Sequence, residues 1–450
     1  VTLSFTFMIR IDMYRFLLFL TALFTFGGLC AQQITVTGGG KPAYSYTPEA
    51  STGLNGGVFV VYSLDQATVE FSGADDSLIS WSKFGPSGAA TSTPVTGAVQ
   101  NGYLSTLTLT EADCGYIIEQ NGRSYYLWII DYSQAPLVLN GASVSNDSGQ
   151  CELTTLLLDG SGSRLNYYSI NGAPKVLNRE LSVSYMSLVW NAEALTYVQT
   201  AQSETIDNFT LTVQVTAPLC NTDFVISGDQ LLNYWGMEQT VSTGEYVTTA
   251  IGVTAVAEQS YREDALNEDD RHPTEYLGGS APAEIEFQAY TTDAVTHIEW
   301  EFSDKEDFST TIARYNDQTL RYTFRDEGVT YVRLVGSNST AECQAYSETF
   351  TVNIGEPRLE APNAFSPGTS PGVNDEWKVA YKSIVSFKCW IFNKWGVQMC
   401  YLDNPEKGWD GKYHGKYVDP GVYYYVIEAK GSNNQKIKLK GHINIMRSKD

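Results

Sequence analysis

Histidine is scarce in this chain of 450 residues: there are four, His272, His297, His414 and His442. They stand in separate stretches without metal-ligand spacing or an adjacent nucleophile motif, which argues against zinc and triad chemistry. No Cys-x-x-Cys pair and no phosphate-cradling Gly-Lys-Ser/Thr loop occurs. Basic residues are few as well. The 29 Lys and Arg are set against 51 Asp and Glu, a formal net charge of −22. Such a surface repels a phosphate backbone, so no nucleic-acid partner is expected. Gly368-Thr369-Ser370-Pro371-Gly372 fits Gly-x-Ser-x-Gly in form. An oxyanion hole needs the N–H of the residue after the serine, and Pro371 has none. The expectation is a non-enzyme with no cofactor and no metal site.

What the chain does hold points to folded β-structure. Hydrophobic residues make up 43%, with 29 tyrosines and 38 glycines. Aromatic and β-branched runs lie between Gly, Asn, Asp and Ser turns, the composition of strands and tight connections. Val58-Phe59-Val60-Val61-Tyr62 and Tyr125-Tyr126-Leu127-Trp128-Ile129-Ile130 read as strands, and no long 3.6-residue apolar period appears. Charge is unevenly placed: residues 361–450 carry 13 Lys/Arg against 8 Asp/Glu, while the remainder carries 16 against 43. That change of sign marks a separate terminal domain.

Near the N-terminus, Met13-Tyr14-Arg15 precedes a short apolar core over residues 16–26. This reads as an export signal beginning at Met13 and cleaved between Ala31 and Gln32. The run is short for a membrane span, and no later stretch is long and apolar enough to cross as a helix. The cysteines that remain, Cys114, Cys151, Cys220, Cys343, Cys389 and Cys400, can oxidise once exported.

Turn clusters divide the chain into expected units: the signal at 1–31, β-sandwich modules at 32–135 and 136–217, a β module with an acidic loop at 218–282, a unit at 283–356, and a terminal domain at 360–450. The second and third units echo each other. Each holds a cysteine followed by a strand and a glycine, then reaches Leu165-Asn166-Tyr167-Tyr168 or Leu232-Asn233-Tyr234-Trp235. The charge run from Arg262 to Arg271 lacks calcium-loop spacing and reads as a solvated loop.

In the fourth unit, Ile298-Glu299-Trp300-Glu301-Phe302 is followed by Tyr322-Thr323-Phe324, Gly328 and Tyr331-Val332-Arg333-Leu334-Val335. This resembles the PKD family of small β-sandwich modules, although Ser303-Asp304-Lys305 replaces the family's Gly-Asp-Gly turn. Such modules are commonly spacers or binders in surface proteins.

The last stretch is the most punctuated. In it, Pro362, Asn363, Phe365 and Pro367 are followed by Asn374 and Asp375. Then come Ile391, Phe392, Asn393, Trp395 and Gly396, and after them Trp409, Asp410, Gly411 and Gly415. Gly421, Tyr423, Tyr425 and Gly441 close the series. Residues 388–401 read as a hairpin. A two-residue loop at Lys394-Trp395 sets Cys389 opposite Cys400 and permits a disulfide, whereas a loop at Trp395-Gly396 sets Cys400 opposite Ile391.

The same residues closely resemble the type B C-terminal sorting domain of the type IX secretion system, the gliding-motility-associated C-terminal domain. The resemblance implies passage through the periplasm to the cell surface or outer membrane. The implied partners are the type IX translocon and outer-membrane shuttle or attachment proteins. The order of modules resembles PorA-type components of that system, which implies an accessory or signalling role. The alternative is an adhesin or glycan-binding cargo, with a surface glycan or lipopolysaccharide as partner and aromatics near Tyr167 and Tyr234 as contacts. The expected fold is all-β: tandem immunoglobulin/PKD-like β-sandwich modules with a C-terminal β-sandwich sorting domain.

Overall fold

The computed structural model describes residues 34–145, 151–260, 276–369 and 372–447. The export signal with Ala31 and Gln32, the charge run from Arg262 to Arg271, and His272 lie outside the described residues. The architecture is a series of tandem β-sandwiches. In the first, one sheet orders the strands Lys41–Pro42, Ile34–Gly38, Thr68–Ser72, Leu104–Thr108 and Val99–Asn101. The facing sheet runs Tyr44–Tyr46, Gly57–Val61, Arg123–Asp131, Cys114–Gln120, Ser80–Phe84 and Thr93–Pro94. Val36, Val69, Phe71, Ile118 and Ile129 meet between them.

Two strands of the facing sheet, Gly57–Val61 and Arg123–Asp131, pair in parallel, with Trp128 beside Val58 and Ile130 beside Val60. Their apolar runs are continuous rather than alternating because both faces are covered. Phe59, Leu127 and Ile129 face the core of the first sandwich. Val58, Val60, Trp128 and Ile130 enter a second core with Leu156, Leu165, Leu181 and Phe224. The first two sandwiches are therefore joined by a shared apolar layer.

The next unit differs from the expected division. The strand Thr222–Gly228 pairs with Leu181–Asn191, and Gln239–Tyr246 pairs with Thr222–Gly228. The boundary placed at 217/218 falls inside one sheet. Further on, Val253–Ser260 pairs with Ala283–Thr291, and Leu277–Gly279 with Phe350–Ile354, so those strands belong to the following sandwich. Residues 218–282 thus form no unit of their own. The sequence echo is not repeated in conformation either, since Leu165–Tyr168 is a strand whereas Gln230–Tyr234 is a short helix. Strand pairing is non-local, and the local turn signals near 218 mark a connection within a sheet.

One ion pair is sealed inside this unit. Arg179 and Asp229 are both fully buried, with Nη2 and Nε each 2.8 Å from Oδ2. Arg179 Nη1 also donates to the carbonyls of Ala135 (2.7 Å) and Ser163 (2.8 Å). Asp229 Oδ1 caps the short helix by accepting from Leu232 N–H at 2.9 Å. The Tyr132 ring lies 5.0 Å from the guanidinium, and its hydroxyl reaches Asp229 at 3.3 Å. Burial, and then the Asp229 charge, push the Tyr132 hydroxyl up to about 12.

The third sandwich sets the sheet Val253–Ser260, Ala283–Thr291 and Thr319–Phe324 against one built on His297–Ser303 and Gly328–Ser337. Phe287, Trp300 and Phe302 fill it. A disulfide joins Cys151 to Cys343, 192 residues apart, and so ties the second sandwich to the third. The terminal unit follows, its main sheet ordered Ala364–Phe365, Lys436–Ile445, Gly421–Gly431, Ile384–Phe392 and Gln398–Leu402. It meets the third sandwich through buried serines: Ser383 N–H donates to Ser280 Oγ (2.9 Å), and Ala281 N–H to Ser383 Oγ (3.3 Å).

Two outcomes follow from these ties. Asp229→Ala strands the Arg179 charge in the core and should cost about 3–5 kcal/mol. Urea unfolding followed by tryptophan fluorescence checks this, and Arg179→Met with Asp229→Leu should recover part of the loss. Cys151→Ser should lower stability by about 2–4 kcal/mol, because a long unfolded loop is no longer closed. Non-reducing peptide mapping of the native chain should recover the peptides of Cys151 and Cys343 linked.

Candidate recognition surface of the terminal domain

The residues singled out in the terminal domain divide into a core set, a turn set and one exposed group. Trp377 and Trp409 are buried and bridge each other through paired backbone bonds of 2.9 and 3.0 Å. Their indole N–H groups donate to Pro362 O (2.6 Å) and Lys412 O (3.0 Å). Phe365 and Tyr423 pack on Trp409, and Tyr425 packs on Trp377. Phe365 lies parallel to the last strand, opposite Ile445, while Asn363 O accepts from Asn444 N–H at 2.9 Å. Ile391 is fully buried in the same core. Phe392 is half-buried and pairs with Tyr424.

The turn set holds the backbone. Asp375 accepts from Gly368 N–H (2.9 Å) and Gly372 N–H (2.5 Å), while Asn374, at φ 54°, accepts from Ser366 N–H (3.0 Å). Asp410 Oδ1 accepts from Lys412 N–H at 3.0 Å; although partial burial opposes the shift, this and the Lys412 ammonium hold its carboxyl below the usual range. Gly411 sits at φ 74°, and a Cβ there would lie 2.8 Å from Pro367, which is buried. His414 and Gly415, both at positive φ, make the two-residue turn between Tyr413 and Lys416. Gly421 opens the strand at φ 145°. Tyr423 OH donates to Asp419 O at 3.0 Å. Gly441 lies opposite Tyr425, whose ring crosses the space a side chain would need: a Cβ would fall 2.5 Å from the hydroxyl oxygen.

The hairpin corrects the expected disulfide. Cys389 and Cys400 are both free. The loop has three residues, 394–396, closed by Asn393 N–H to Val397 O (3.0 Å), with Gly396 at φ 77°. The register then shifts at Ile391/Phe392. Cys400 consequently stands opposite Ile391 and Cys389 opposite Leu402. Burial pushes the Cys389 thiol up to about 12, in keeping with an inert core residue.

Asn393 Oδ1 accepts from the N–H groups of Trp395 (2.9 Å) and Val397 (3.0 Å), which fixes the loop tip. At that tip Trp395 is 77% exposed, with Lys394 Nζ 4.9 Å from its ring. A groove of about 250 Å³ runs between Lys394, Trp395 and the turn Asp419-Pro420-Gly421. The outer face of the sheet continues from it. Trp390 pairs with Tyr401 and Val426, Phe392 with Tyr424, and Val426 with Lys440. Lys388, Lys430, Lys436 and Lys438 complete the face, and Glu428 is its acidic member. The Lys438 ammonium, 2.8 Å away, holds the Glu428 carboxyl low. An exposed tryptophan, a tyrosine row and a lysine band form a surface suited to binding.

The three histidines among the described residues do not converge. His297 contacts its neighbour Thr296, His414 tips a turn and His442 lies on the outer face. Among the described residues no group of three or more His, Cys, Asp or Glu could hold a metal ion. Among the described residues no helix is long and apolar enough to cross a membrane. Tyr167, expected as an exposed contact, is buried, whereas Tyr234 is half exposed and packs edge-on against Tyr44.

This geometry agrees with the comparisons. Residues 359–445 match the CHU_C Type IX secretion signal domain, and the terminal unit is such a domain. Residues 143–243 match a fibronectin type III domain, Fn3_FA, a span that includes the sheet crossing 217/218. The chain thus carries the signal for secretion by the type IX system behind at least one fibronectin-like module. No curated protein matches it. Similar solved structures include the three N-terminal domains of the bacteriophage RB49 highly immunogenic outer capsid protein. That likeness has 10% identity over 69% of this chain and 100% of that one, at a TM-score of 0.21. The fibronectin(III)-like modules of Clostridium thermocellum CbhA match at 11% identity over 42% of this chain and 95% of theirs, at a TM-score of 0.17.

Gly441→Ala should lower the melting temperature of the chain, because the added methyl must displace Tyr425 from Trp377. The expected cost is about 1–3 kcal/mol. Gly441→Ala combined with Tyr425→Phe, which removes the colliding hydroxyl, should restore part of it in the same thermal scan.

Proposed function

We propose that this is a non-catalytic protein exported by a cleaved signal at Ala31/Gln32 and carried through the periplasm to the outer surface. There the terminal domain is the recognised part. On this reading the sandwiches before it, including a PKD-like spacer at 283–356, hold and present that domain, as in a PorA-type accessory or signalling component. The observation that carries the reading is the secretion signal domain at 359–445, with Trp395 and the lysine band exposed on it. An acidic partner surface suits the band, since residues 361–450 are basic in a chain of net charge −22.

The test separates recognition from folding. Trp395→Ala, and Lys436 and Lys440 together changed to Glu with the Lys438–Glu428 pair left intact, should leave thermal unfolding of the chain unchanged. Both should reduce the amount exposed on intact cells, read by surface proteolysis against a whole-cell blot. Unchanged surface display in both variants overturns the assignment of this face. In a strain lacking the gene, loss of export of other cargo supports a machinery role; loss of attachment alone supports an adhesin.

A further inference from the structure

A second cavity, lined by no residue of the terminal domain, lies at the seam between the first two sandwiches. Its volume is about 320 Å³, and Asp113, Asp131, Trp128, Arg164, Asn166 and Tyr168 line it. That is the lower end of the range of small-molecule sites, about 300–1,000 Å³, which favour interfaces between domains.

The fold brings these residues together from two modules. Asp113 precedes the strand Cys114–Gln120, and its N–H donates to Ile129 O at 2.8 Å, which sets it beside the end of Arg123–Asp131. Asp131 is buried, with Oδ1 2.9 Å from Ser133 N and 2.7 Å from Ser133 Oγ. Arg164 and Asn166 arrive on the strand Leu165–Tyr168 and the residue before it, and Tyr168 packs on Trp128 with ring centroids 5.3 Å apart.

One buried donor in this cavity has no partner among the described residues, while Asp131 accepts from Ser133 and Gln134. Burial, and then the neighbouring Asp131 charge, raise the Asp113 carboxyl above its usual range. Arg164 is exposed and makes no ion pair with Asp113, although both line the same space. The indole N–H of Trp128 is buried and has no acceptor among the described residues. A buried donor without a partner is unfavourable, so an oxygen entering beside it is favoured.

The ligand class follows from the lining. A simple anion would face the two aspartates, and a simple cation would face Arg164. A neutral polyhydroxylated ring avoids both conflicts: its hydroxyls donate to the carboxylates and accept from the guanidinium, the Asn166 amide and the indole. Its C–H face can lie on the Tyr168 ring. We infer that the cavity between Asp113, Arg164 and Tyr168 is a saccharide subsite that holds a single hexose unit of a glycan. The inference is independent of the export reading, which rests on residues 359–445.

The test is calorimetric titration of the full chain with glucose, galactose, mannose and N-acetylglucosamine, with glycine and lysine as zwitterionic controls. Saturable binding of at least one sugar is expected. Arg164→Ala and Asn166→Ala, both at exposed positions, should each weaken it by about tenfold or more without changing the melting temperature. Tyr234→Ala, an exposed aromatic elsewhere, should not. The proposal is overturned if no sugar binds at millimolar concentration, if both cavity variants bind as the parent chain does, or if the amino acids bind and the sugars do not. A failure here leaves surface display through the terminal domain unaffected.

Discussion

The sealed pair of Arg179 and Asp229 fixes how the first half of the molecule is assembled. Neither charge reaches water, so every polar neighbour must come from the chain itself. The partners are drawn from separate segments: Ala135 in the connection out of the first sandwich, Ser163 between two strands of the second, and the start of the helix at Leu232. Tyr132 stands between them. Its ring lies under the guanidinium, and its hydroxyl accepts from Leu137 N–H at 3.1 Å. The connection must therefore turn at Ala135. That turn lays the second sandwich on the outer face of the first, where Trp128 and Ile130 wait to be covered.

Two kinds of joint result. The first pair of sandwiches shares an apolar layer and a desolvated ion pair, which resist sliding. The third sandwich meets the second partly through aromatic contact, with Trp190 and Tyr290 centroids 5.0 Å apart and Tyr197 OH 2.8 Å from Thr254 Oγ1. The joint to the terminal domain is more polar. Ser280, Ser383 and Ser432 are buried there, and Ser432 Oγ donates to Gly355 O at 3.4 Å. Hydroxyls of this kind fix orientation at small cost in area. The secretion signal domain thus sits on a hydrogen-bonded seat, with its lysine band and Trp395 on its own sheet face and hairpin tip.

The sequence was most legible where local chemistry decides the conformation. Asp410, Gly411 and Gly421 announce turns because side-chain acceptors and positive φ are needed there, and each is found in such a place. The all-β character was equally plain. What failed depended on pairing over distance. Gly396 adds a third loop residue to the hairpin, and a shift at Ile391/Phe392 completes the slip that parts Cys389 from Cys400. No local signal distinguishes those registers. The real bridge joins cysteines 192 residues apart, and nothing in the neighbourhood of Cys151 or Cys343 names its partner. The unbroken apolar run around Trp128 did hold a clue, since a strand open to solvent on one face alternates. The cavity at Asp113 and Arg164 left none, because its walls come from different sandwiches.

The bridge between Cys151 and Cys343 also sets the mechanical route through the molecule. Suppose the terminal domain is held and the first sandwich is pulled away from it. Tension then enters at the covalent link and passes directly from one cysteine to the other. The strands between them, including Leu181–Asn191, Ala283–Thr291 and Gly328–Ser337, lie off the load-bearing line. They can unfold thermally, but they cannot be drawn out end to end while the sulfurs are joined. Extension under load is confined to the segments before Cys151 and after Cys343, so the oxidised molecule acts as a short tether with a bulky, unloaded middle.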